Sequence, residues 1–265
     1  MSLHFDLIAL DVDGTLLRDD HVLTDAIRDS VREASSRGAE IVLCTGRGPS
    51  GALPVLEELE LGGTVITHNG AATINADDRS LIHQFDMLPD DLQRFITYSR
   101  EHSIHFDLNT AFDMMVESMT PEAESMYMHY RAQPAVLDFT AGLPAGLVKF
   151  TIFGSKEKLD IVQAEWASWP SQLQSIRSGD FFIDVHHAEA SKGKALQQLA
   201  ELRGISPDRI LAIGNYYNDI TMLRYAGMGI AMGNSPEEVK LAAKAVAPSN
   251  AEDGVAAALR EYAWG

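Results

Sequence analysis

The sequence predicts an α/β protein with a Rossmann-like, doubly wound parallel sheet and an inserted α+β domain. Short apolar runs with strand character recur along the chain, and segments with helical spacing lie between them, as in α/β folds. Runs at residues 5–10 and 40–45 end in polar and glycine-rich loops, which is typical of buried parallel strands. Between about His83 and Val185 the alternation is less regular, and six of the ten methionines lie between Met87 and Met128. This interruption predicts a separate domain.

The N-terminal part predicts strands joined by a capped helix. Thr24 is a suitable N-cap for a helix that continues to Arg37, because apolar residues follow at a spacing of four and Gly38 ends the pattern. The third strand precedes the turn pair Asn69-Gly70. The predicted strands here are at residues 5–10, 40–45 and 64–67.

The C-terminal part returns to the same alternation. A helix at residues 192–203 has apolar residues on one face and Gly204 as its stop. A strand at residues 210–213 ends at Gly214. The remaining predicted elements are a helix at 220–226, a strand at 245–247 and a helix at 252–262.

The interrupted middle predicts an inserted domain at residues 83–185, so that residues 1–82 and 186–265 together form the core. Antiparallel pairing of its strands would make the insertion α+β. Its predicted strands lie near residues 105–108, 114–118, 147–153 and 181–185, with helices near 89–102 and 156–167.

Composition excludes several classes of function. The chain has 265 residues, 46% of them apolar, which supports a buried core. Lys and Arg number 21 against 38 Asp and Glu, giving a net charge of −17 and no basic run that would favour nucleic acid or an anionic membrane.

No secretory signal is expected at the N-terminus. The single cysteine, Cys44, lies in an apolar strand and fits packing in a reducing cytoplasm, which is the expected location.

The strongest chemical signal is Asp11-Val12-Asp13-Gly14 directly after an apolar strand. Two carboxylates separated by one residue can face one small site, where a divalent cation offsets their repulsion. One can attack as a nucleophile while the other exchanges a proton with the leaving group. The alternative is a surface turn with solvated aspartates, which is less compatible with the preceding strand.

Four separated motifs then resemble, in order, those of the haloacid dehalogenase superfamily, specifically the Cof-type phosphatases with a large inserted cap of the C2 (IIB) type. The resemblance implies that Asp11 becomes phosphorylated and that Asp13 acts as general acid and base. It implies that Thr45-Gly46-Arg47 holds the phosphate and that Lys192, in Ser191-Lys192-Gly193, neutralises both phosphate and nucleophile.

The fourth motif, Gly214 to Asp219, matches an acidic metal-binding loop usually written G-D-x-x-N-D. The resemblance implies a Mg²⁺ site formed by Asp11, Asp13 and position 215, with Asn218 reaching the phosphate. This chain carries Asn215 where the family has an aspartate, so metal affinity is expected to fall because the amide brings no charge. Either Asp219 compensates, directly or through water, or weak Mg²⁺ binding suffices; the third alternative is lost catalysis.

The leading hypothesis is Mg²⁺-dependent hydrolysis of a small phosphomonoester, such as a sugar phosphate or similar metabolite, through an aspartyl-phosphate. A non-catalytic phosphometabolite-binding protein and a phosphomutase-type phosphotransferase are the alternatives. The inserted domain is expected to cover the carboxyl ends of the core strands, where ligands bind in open α/β sheets.

Overall fold

The structure is a computed structural model that describes residues 4–129 and 132–264. The chain divides into two compact units. Unit 1 contains the described residues up to His83 and those from Ser191 onward, and unit 2 contains the described residues between Gln84 and Ala190.

Unit 1 begins with the predicted alternation of strand and helix. Its first helix starts as expected, because the Thr24 hydroxyl accepts a hydrogen bond from the Ile27 N–H at 3.3 Å. The elements are β1 (Leu7–Leu10), α1 (Asp25–Ser36), β2 (Glu40–Cys44), α2 (Pro49–Glu58), β3 (Thr64–Thr67), β4 (Ala72–Asn75) and β5 (Leu81–Gln84).

Unit 2 follows, with most of its strands in long antiparallel pairs. Its elements are α3 (Pro89–Glu101), β6 (His105–Thr110), β7 (Met114–Val116), α4 (Pro121–His129), β8 (Ala135–Val136), β9 (Leu147–Phe153), α5 (Lys156–Trp166), β10 (Leu173–Gly179) and β11 (Phe182–His187).

The chain then completes unit 1. The predicted helix α6 has the expected bounds, and Gly204 closes it in the left-handed conformation. The elements are α6 (Lys192–Arg203), β12 (Ile210–Gly214), α7 (Ile220–Tyr225), β13 (Met228–Ala231), α8 (Glu237–Ala242), β14 (Ala245–Val246) and α9 (Gly254–Ala258).

The sheet of unit 1 has the order β14-β13-β12-β1-β2-β3-β4-β5 and confirms the predicted parallel α/β core. All pairs from β14 to β3 are parallel, and β4 returns antiparallel to β3. Strand β1 lies between β12 and β2, with Leu10 opposite both Ile213 and Leu43. This register brings the residues after β1, β2 and β12 to the same edge of the sheet.

Unit 2 has a sheet of order β10-β11-β9-β6-β7-β8. Its pairs are antiparallel except β7 with β8, so the unit is α+β. Strand β11 extends to His187 because Leu173 pairs with His187 and Gln174 with His186. The boundary predicted between residues 185 and 186 lies inside this strand, and unit 2 extends five residues further, to Ala190.

One face of this sheet packs an aromatic core against α3 and α5. Phe150 is fully buried, and the Phe95 ring meets Trp166 edge to face with centroids 4.8 Å apart. The core is made only of residues from Met87 to Val185. Unit 2 thus has its own hydrophobic core.

A buried polar network surrounds Asp107 of β6. Its carboxylate accepts hydrogen bonds from Asn109 Nδ2 at 2.6 Å and from the Tyr127 hydroxyl at 3.1 Å. The His105 ring nitrogen Nε2 lies 3.0 Å from the same hydroxyl. Burial raises the pKa of Asp107 to about 6, although Lys149 opposes this shift.

The C-terminal segment differs from the single helix predicted at residues 252–262. A 3₁₀ turn at Asn250–Glu252 is followed by Asp253 in the left-handed conformation, with φ of 54°. This residue separates the turn from α9, and the last turn at Leu259–Ala263 is a π-helix. Among the described residues, no helix is both long and apolar enough to span a bilayer.

Candidate active site

The centre of the site is a buried ion triad at the carboxyl end of β1. The Lys192 ammonium donates to Asp11 Oδ1 and to Asp219 Oδ1, each at 2.6 Å. Lys192 and Asp219 are fully buried, and Asp11 is 5% exposed. The three residues come from the ends of β1, α6 and the loop after β12, so the sheet register and the start of α6 bring them together.

Burial and the neighbouring charges shift the pKa values of Asp11 and Lys192. Burial and the charge of Asp219 raise the pKa of Asp11 to about 7, against the opposing effect of Lys192. Burial alone would lower the pKa of Lys192, but the two carboxylates outweigh it and raise that pKa above its usual value. Lys192 is therefore a permanent cation beside Asp11.

Asp219 organises the loop that follows β12. Its Oδ2 accepts the backbone N–H groups of Asn215 at 2.8 Å and Tyr216 at 2.9 Å, while Oδ1 accepts from Lys192. Both carboxylate oxygens are thus engaged by protein donors. This geometry favours an indirect effect of Asp219 on any cation over direct coordination.

The Asn215 side chain points back toward β1. With its amide nitrogen facing the surrounding acceptors, it donates to Asp11 Oδ2 at 3.0 Å, to the Asp13 carbonyl at 2.9 Å and to the Thr15 hydroxyl at 3.2 Å. This orientation gives the Asp11 and Asp13 oxygens a donor, whereas the reverse would set the amide oxygen against both of them and leave it only the Thr15 hydroxyl as a donor.

Gly14 gives Asn215 the space for this position. Gly14 has φ of +75°, and a Cβ there would lie 2.3 Å from the end of the Asn215 side chain. Any side chain at this position would combine backbone strain with a direct clash. Gly14 therefore leaves room for the loop after β12.

Asp13 lies beside Asp11 in sequence but in a more exposed setting. The Arg47 guanidinium holds its carboxylate in a two-point ion pair, with Nε 2.8 Å from Oδ2 and Nη2 2.5 Å from Oδ1. Arg47 also donates to the Gly51 carbonyl at 3.0 Å, and His21 Nδ1 lies 3.7 Å from Asp13. The phosphate contact predicted for Arg47 stays a prediction, since the structure bonds its guanidinium to Asp13.

Thr45 follows β2 and is buried, and its hydroxyl accepts the Arg47 N–H at 3.1 Å. Gly46 forms the turn between them. The Asn69 N–H donates to the Thr45 carbonyl at 3.0 Å, and Asn69 Oδ1 accepts from Asn218 Nδ2 at 2.9 Å. Asn69 therefore links Thr45 to Asn218, whose buried Oδ1 has no partner among the described residues.

The oxygen donors fit Mg²⁺. Neighbouring ligands of an octahedral Mg²⁺ lie about 3.0 Å apart when the metal–oxygen bonds are about 2.1 Å. The end of the Asn215 amide that faces β1, which would present Oδ1 to a cation once the amide is turned round, lies 3.0 Å from Asp11 Oδ2 and 2.9 Å from the Asp13 carbonyl, which matches two such edges. No group of three His, Cys, Asp or Glu that could hold a metal occurs in the described part of the chain, so the set depends on an amide and a backbone carbonyl.

Sequence reasoning missed two contributors to the site. Thr15 is fully buried against Asn215, and its hydroxyl lowers the pKa of Asp11 in opposition to burial. His21 approaches Asp13 from a loop, in a left-handed conformation with φ of 61°. Thr15 lies within the Asp-Gly-Thr-Leu run and could have been found there, but no sequence pattern marks His21.

Comparison with known proteins gives consistent matches along the chain. A family model described as haloacid dehalogenase-like hydrolase matches residues 8–259. The Bacillus subtilis protein named "Putative phosphatase YxeH" is 34% identical over 267 residues, covering 97% of this chain and 98% of its own.

Two further matches extend the comparison. The B. subtilis 5-amino-6-(5-phospho-D-ribitylamino)uracil phosphatase YcsE is 28% identical over 260 residues, covering 97% of this chain and 95% of its own. A haloacid dehalogenase-like hydrolase from Bacteroides thetaiotaomicron, known as a crystal structure, superposes with a TM-score of 0.87 at 28% identity, covering 97% of this chain and 99% of the other.

Proposed function

This chain belongs to the haloacid dehalogenase-like hydrolase family and is a phosphatase, and we propose that it hydrolyses a small phosphomonoester through a phosphorylated Asp11. The observation that carries the proposal is the buried contact of Lys192 with Asp11 at 2.6 Å, beside the Asn215 loop and the Asp13–Arg47 pair. A nucleophile, an adjacent carboxylate and a fixed cation meet at one edge of the sheet, as phosphoryl transfer requires.

The proposed reaction has two steps. Asp11 attacks phosphorus in line while Asp13 gives a proton to the departing alkoxide, which leaves an acyl phosphate on Asp11. Asp13 then takes a proton from water, which attacks the acyl phosphate and releases inorganic phosphate. Lys192 offsets negative charge on the nucleophile and on the phosphoryl oxygens in both steps, and the Thr45 hydroxyl offers a hydrogen bond to one of those oxygens.

We propose Mg²⁺ as the cofactor, held by Asp11 Oδ2, the Asp13 carbonyl and the side chain of Asn215. When bound, it would neutralise charge that develops on the transferring phosphoryl group. Asp219 supports this arrangement through Lys192 and the backbone of the 215–216 loop, rather than as a ligand. Asn218 is proposed to reach the phosphate beside Asn69.

The proposed substrate class is the phosphate ester of a sugar or a similar small metabolite. The relative YcsE is named for a phosphate ester on a ribityl chain, which supports a polyhydroxylated leaving group. The role of unit 2 as a cap stays a prediction. A non-catalytic phosphometabolite-binding protein is the second candidate, because Asn215 removes a charge from the proposed metal ligands.

Phosphate release from p-nitrophenyl phosphate, with Mg²⁺ or with excess chelator, tests the proposal. We expect turnover with Mg²⁺ that chelator removes, and we expect Asp11→Asn to abolish turnover because the amide is not a nucleophile. Asp78→Asn is the matched control, because Asp78 lies in an exposed loop and an amide oxygen still accepts the Ser80 N–H.

Retained turnover in folded Asp11→Asn would exclude Asp11 as the nucleophile. Absence of turnover by the native protein on a panel of sugar and polyol phosphates, together with measurable phosphate binding, would favour the non-catalytic candidate.

A further inference from the structure

The acceptor oxygens around the Asn215 amide assign it the orientation in which its nitrogen faces the proposed cation site. The nitrogen has three acceptors, Asp11 Oδ2, the Asp13 carbonyl and the Thr15 hydroxyl, at 2.9 to 3.2 Å. An amide nitrogen carries only donors, so in this orientation it satisfies these oxygens directly but offers no lone pair to a metal.

Coordination of a cation needs the other end of the same amide. The side chain must turn by half a revolution about its terminal bond so that the oxygen replaces the nitrogen. That rotation gives up hydrogen bonds to Asp11 and Asp13, and one of these is to a charged acceptor, which is the stronger kind. Cation binding and internal hydrogen bonding therefore compete for one side chain.

We infer that Asn215 is an internal substitute for the cation, whose amide holds Asp11 and the Asp13 carbonyl together until metal binding turns it round. The inference rests on the cation site of the proposed function and goes beyond it. Its consequence is a site that is stable without metal and binds metal weakly.

A carboxylate at position 215 would behave in the opposite way. Its oxygens would lie about as close to Asp11 Oδ2 as the amide does, and two carboxylates at that distance repel each other unless a cation joins them. Lys192 does not remove the conflict, because it already lies between Asp11 and Asp219 on the other side of the Asp11 carboxylate. An aspartate at position 215 should therefore make the metal-free protein less stable and bind the metal more tightly.

Thermal unfolding in chelator and Mg²⁺ titration by calorimetry test this inference. We expect Asn215→Asp to unfold several degrees below the native protein in chelator, to gain more stability on adding Mg²⁺, and to bind Mg²⁺ about tenfold or more tightly. Asn215→Ala loses both the donors and the ligand, so we expect it to be destabilised in chelator and to respond weakly to Mg²⁺. Asn75→Asp is the control for charge alone, because Asn75 Oδ1 accepts the Asp77 N–H and a carboxylate keeps that bond.

A direct readout of the rotation is the side-chain ¹⁵N–¹H₂ signal of Asn215, assigned by its loss in Asn215→Ala. We expect this signal to move on Mg²⁺ titration while that of Asn75 does not. An Asn215→Asp protein that is as stable as the native protein in chelator, or that binds Mg²⁺ no more tightly, would overturn the inference whatever its turnover. If only the phosphatase proposal is wrong, the protein will show no turnover, but the expected differences in stability and Mg²⁺ affinity among the variants will still be measured.

Discussion

Lys192 holds the site together and, in the proposed mechanism, also takes part in its chemistry. A fully buried ammonium is costly unless it is paired, and here two carboxylates at 2.6 Å pair it. The same pairs keep Asp11 next to a permanent positive charge that a phosphorylated Asp11 would need. Removing Lys192 would leave two buried carboxylates without their cation, so the fold and the proposed chemistry constrain these residues together.

At this scale the sequence predicted which residues meet but not how they bond. Asp11 and Lys192 lie 181 positions apart and converge as the motif resemblance implied. The end of the Asn215 amide that faces Asp11 depends on which acceptors surround it, and no sequence pattern records that. The ion pair of Arg47 with Asp13 was also missed, because the resemblance pointed Arg47 at phosphate.

Asp107 in unit 2 gives a residue-scale prediction for pH. Its pKa of about 6 lies above the ordinary 3.8, which corresponds to about 3 kcal/mol between the two protonation states. Folding therefore takes up a proton in this range, and the stability contributed by the group is complete below about pH 4 and lost as pH rises through 6. We expect Asp107→Asn to lose this pH dependence and to be more stable than the native protein at pH 8.

Asparagine keeps the hydrogen bonds of the network, because its amide can donate to the Tyr127 hydroxyl, which then donates to His105. Urea unfolding at pH 5 and pH 8, followed by tryptophan fluorescence, measures the effect. Asp113→Asn is the control, since Asp113 is exposed and its bond from Thr110 survives the change. Equal pH dependence in Asp107→Asn and the native protein would contradict the assignment.

At the scale of elements, α6 positions the site through its first turn. Lys192 is its first residue, and Ser191 caps it by accepting the Lys194 N–H at 3.2 Å. Gly70, with φ of +96°, lies against this start so closely that a Cβ would be 2.2 Å from the Ser191 carbonyl oxygen. The helix start is thus fixed from two sides, by its cap and by the turn after β3.

Ser191→Ala tests whether the cap matters for the site as well as for the helix. We expect a loss of about 1 kcal/mol in unfolding free energy, as for other N-caps, together with a lower kcat because the first turn carries Lys192. Ser155→Ala is a matched control, because Ser155 caps α5 of unit 2 by accepting the Lys158 N–H at 3.3 Å. We expect the control to lose similar stability with unchanged kcat, and equal kcat in both variants would show that the cap does not position Lys192.

Helices with regularly spaced apolar residues and clear capping residues were predicted well, and elements interrupted by proline or made mostly of polar residues were not. Thr24 and Gly204 mark the ends of α1 and α6 as the capping residues predicted. Helix α2 was not predicted because Pro49 and Pro54 interrupt its helical spacing of apolar residues, although a proline such as Pro49 suits the first turn of a helix. Strand β10 was missed because its sequence, LQSIRSG, is mostly polar and owes its place to pairing with β11.

For the whole molecule, the alternation of strands and helices predicted the parallel sheet, and the stretch where this alternation is interrupted predicted the inserted domain. What the alternation did not show is strand order. The placement of β1 between β12 and β2 depends on pairing across most of the chain, and it brings Asp11, Thr45 and the Asn215 loop to one edge. The motif resemblance supplied this convergence where periodicity could not.

The two units differ in what each needs to fold. In unit 2 every strand pair of the sheet joins described residues of unit 2 itself, and the core extends only from Met87 to Val185. In unit 1 the central strand β1 pairs with β12, which follows unit 2 in the sequence. A segment of about 100 residues with its own core is within the size of independent domains.

We therefore expect a fragment of residues 84–190 to fold alone, while residues 1–83 do not, because β1 would lack β12 on one side. Circular dichroism and cooperative urea unfolding of both fragments measure this, and the fluorescence of Trp166 and Trp169 reports packing of the unit 2 core. Since Phe95 lies against both indole rings, Phe95→Ala should abolish cooperative unfolding of the 84–190 fragment or weaken it by about 3 to 5 kcal/mol. A fragment 84–190 without cooperative unfolding would mean that its core is completed by the rest of the chain, and the division into two self-sufficient parts would then be wrong.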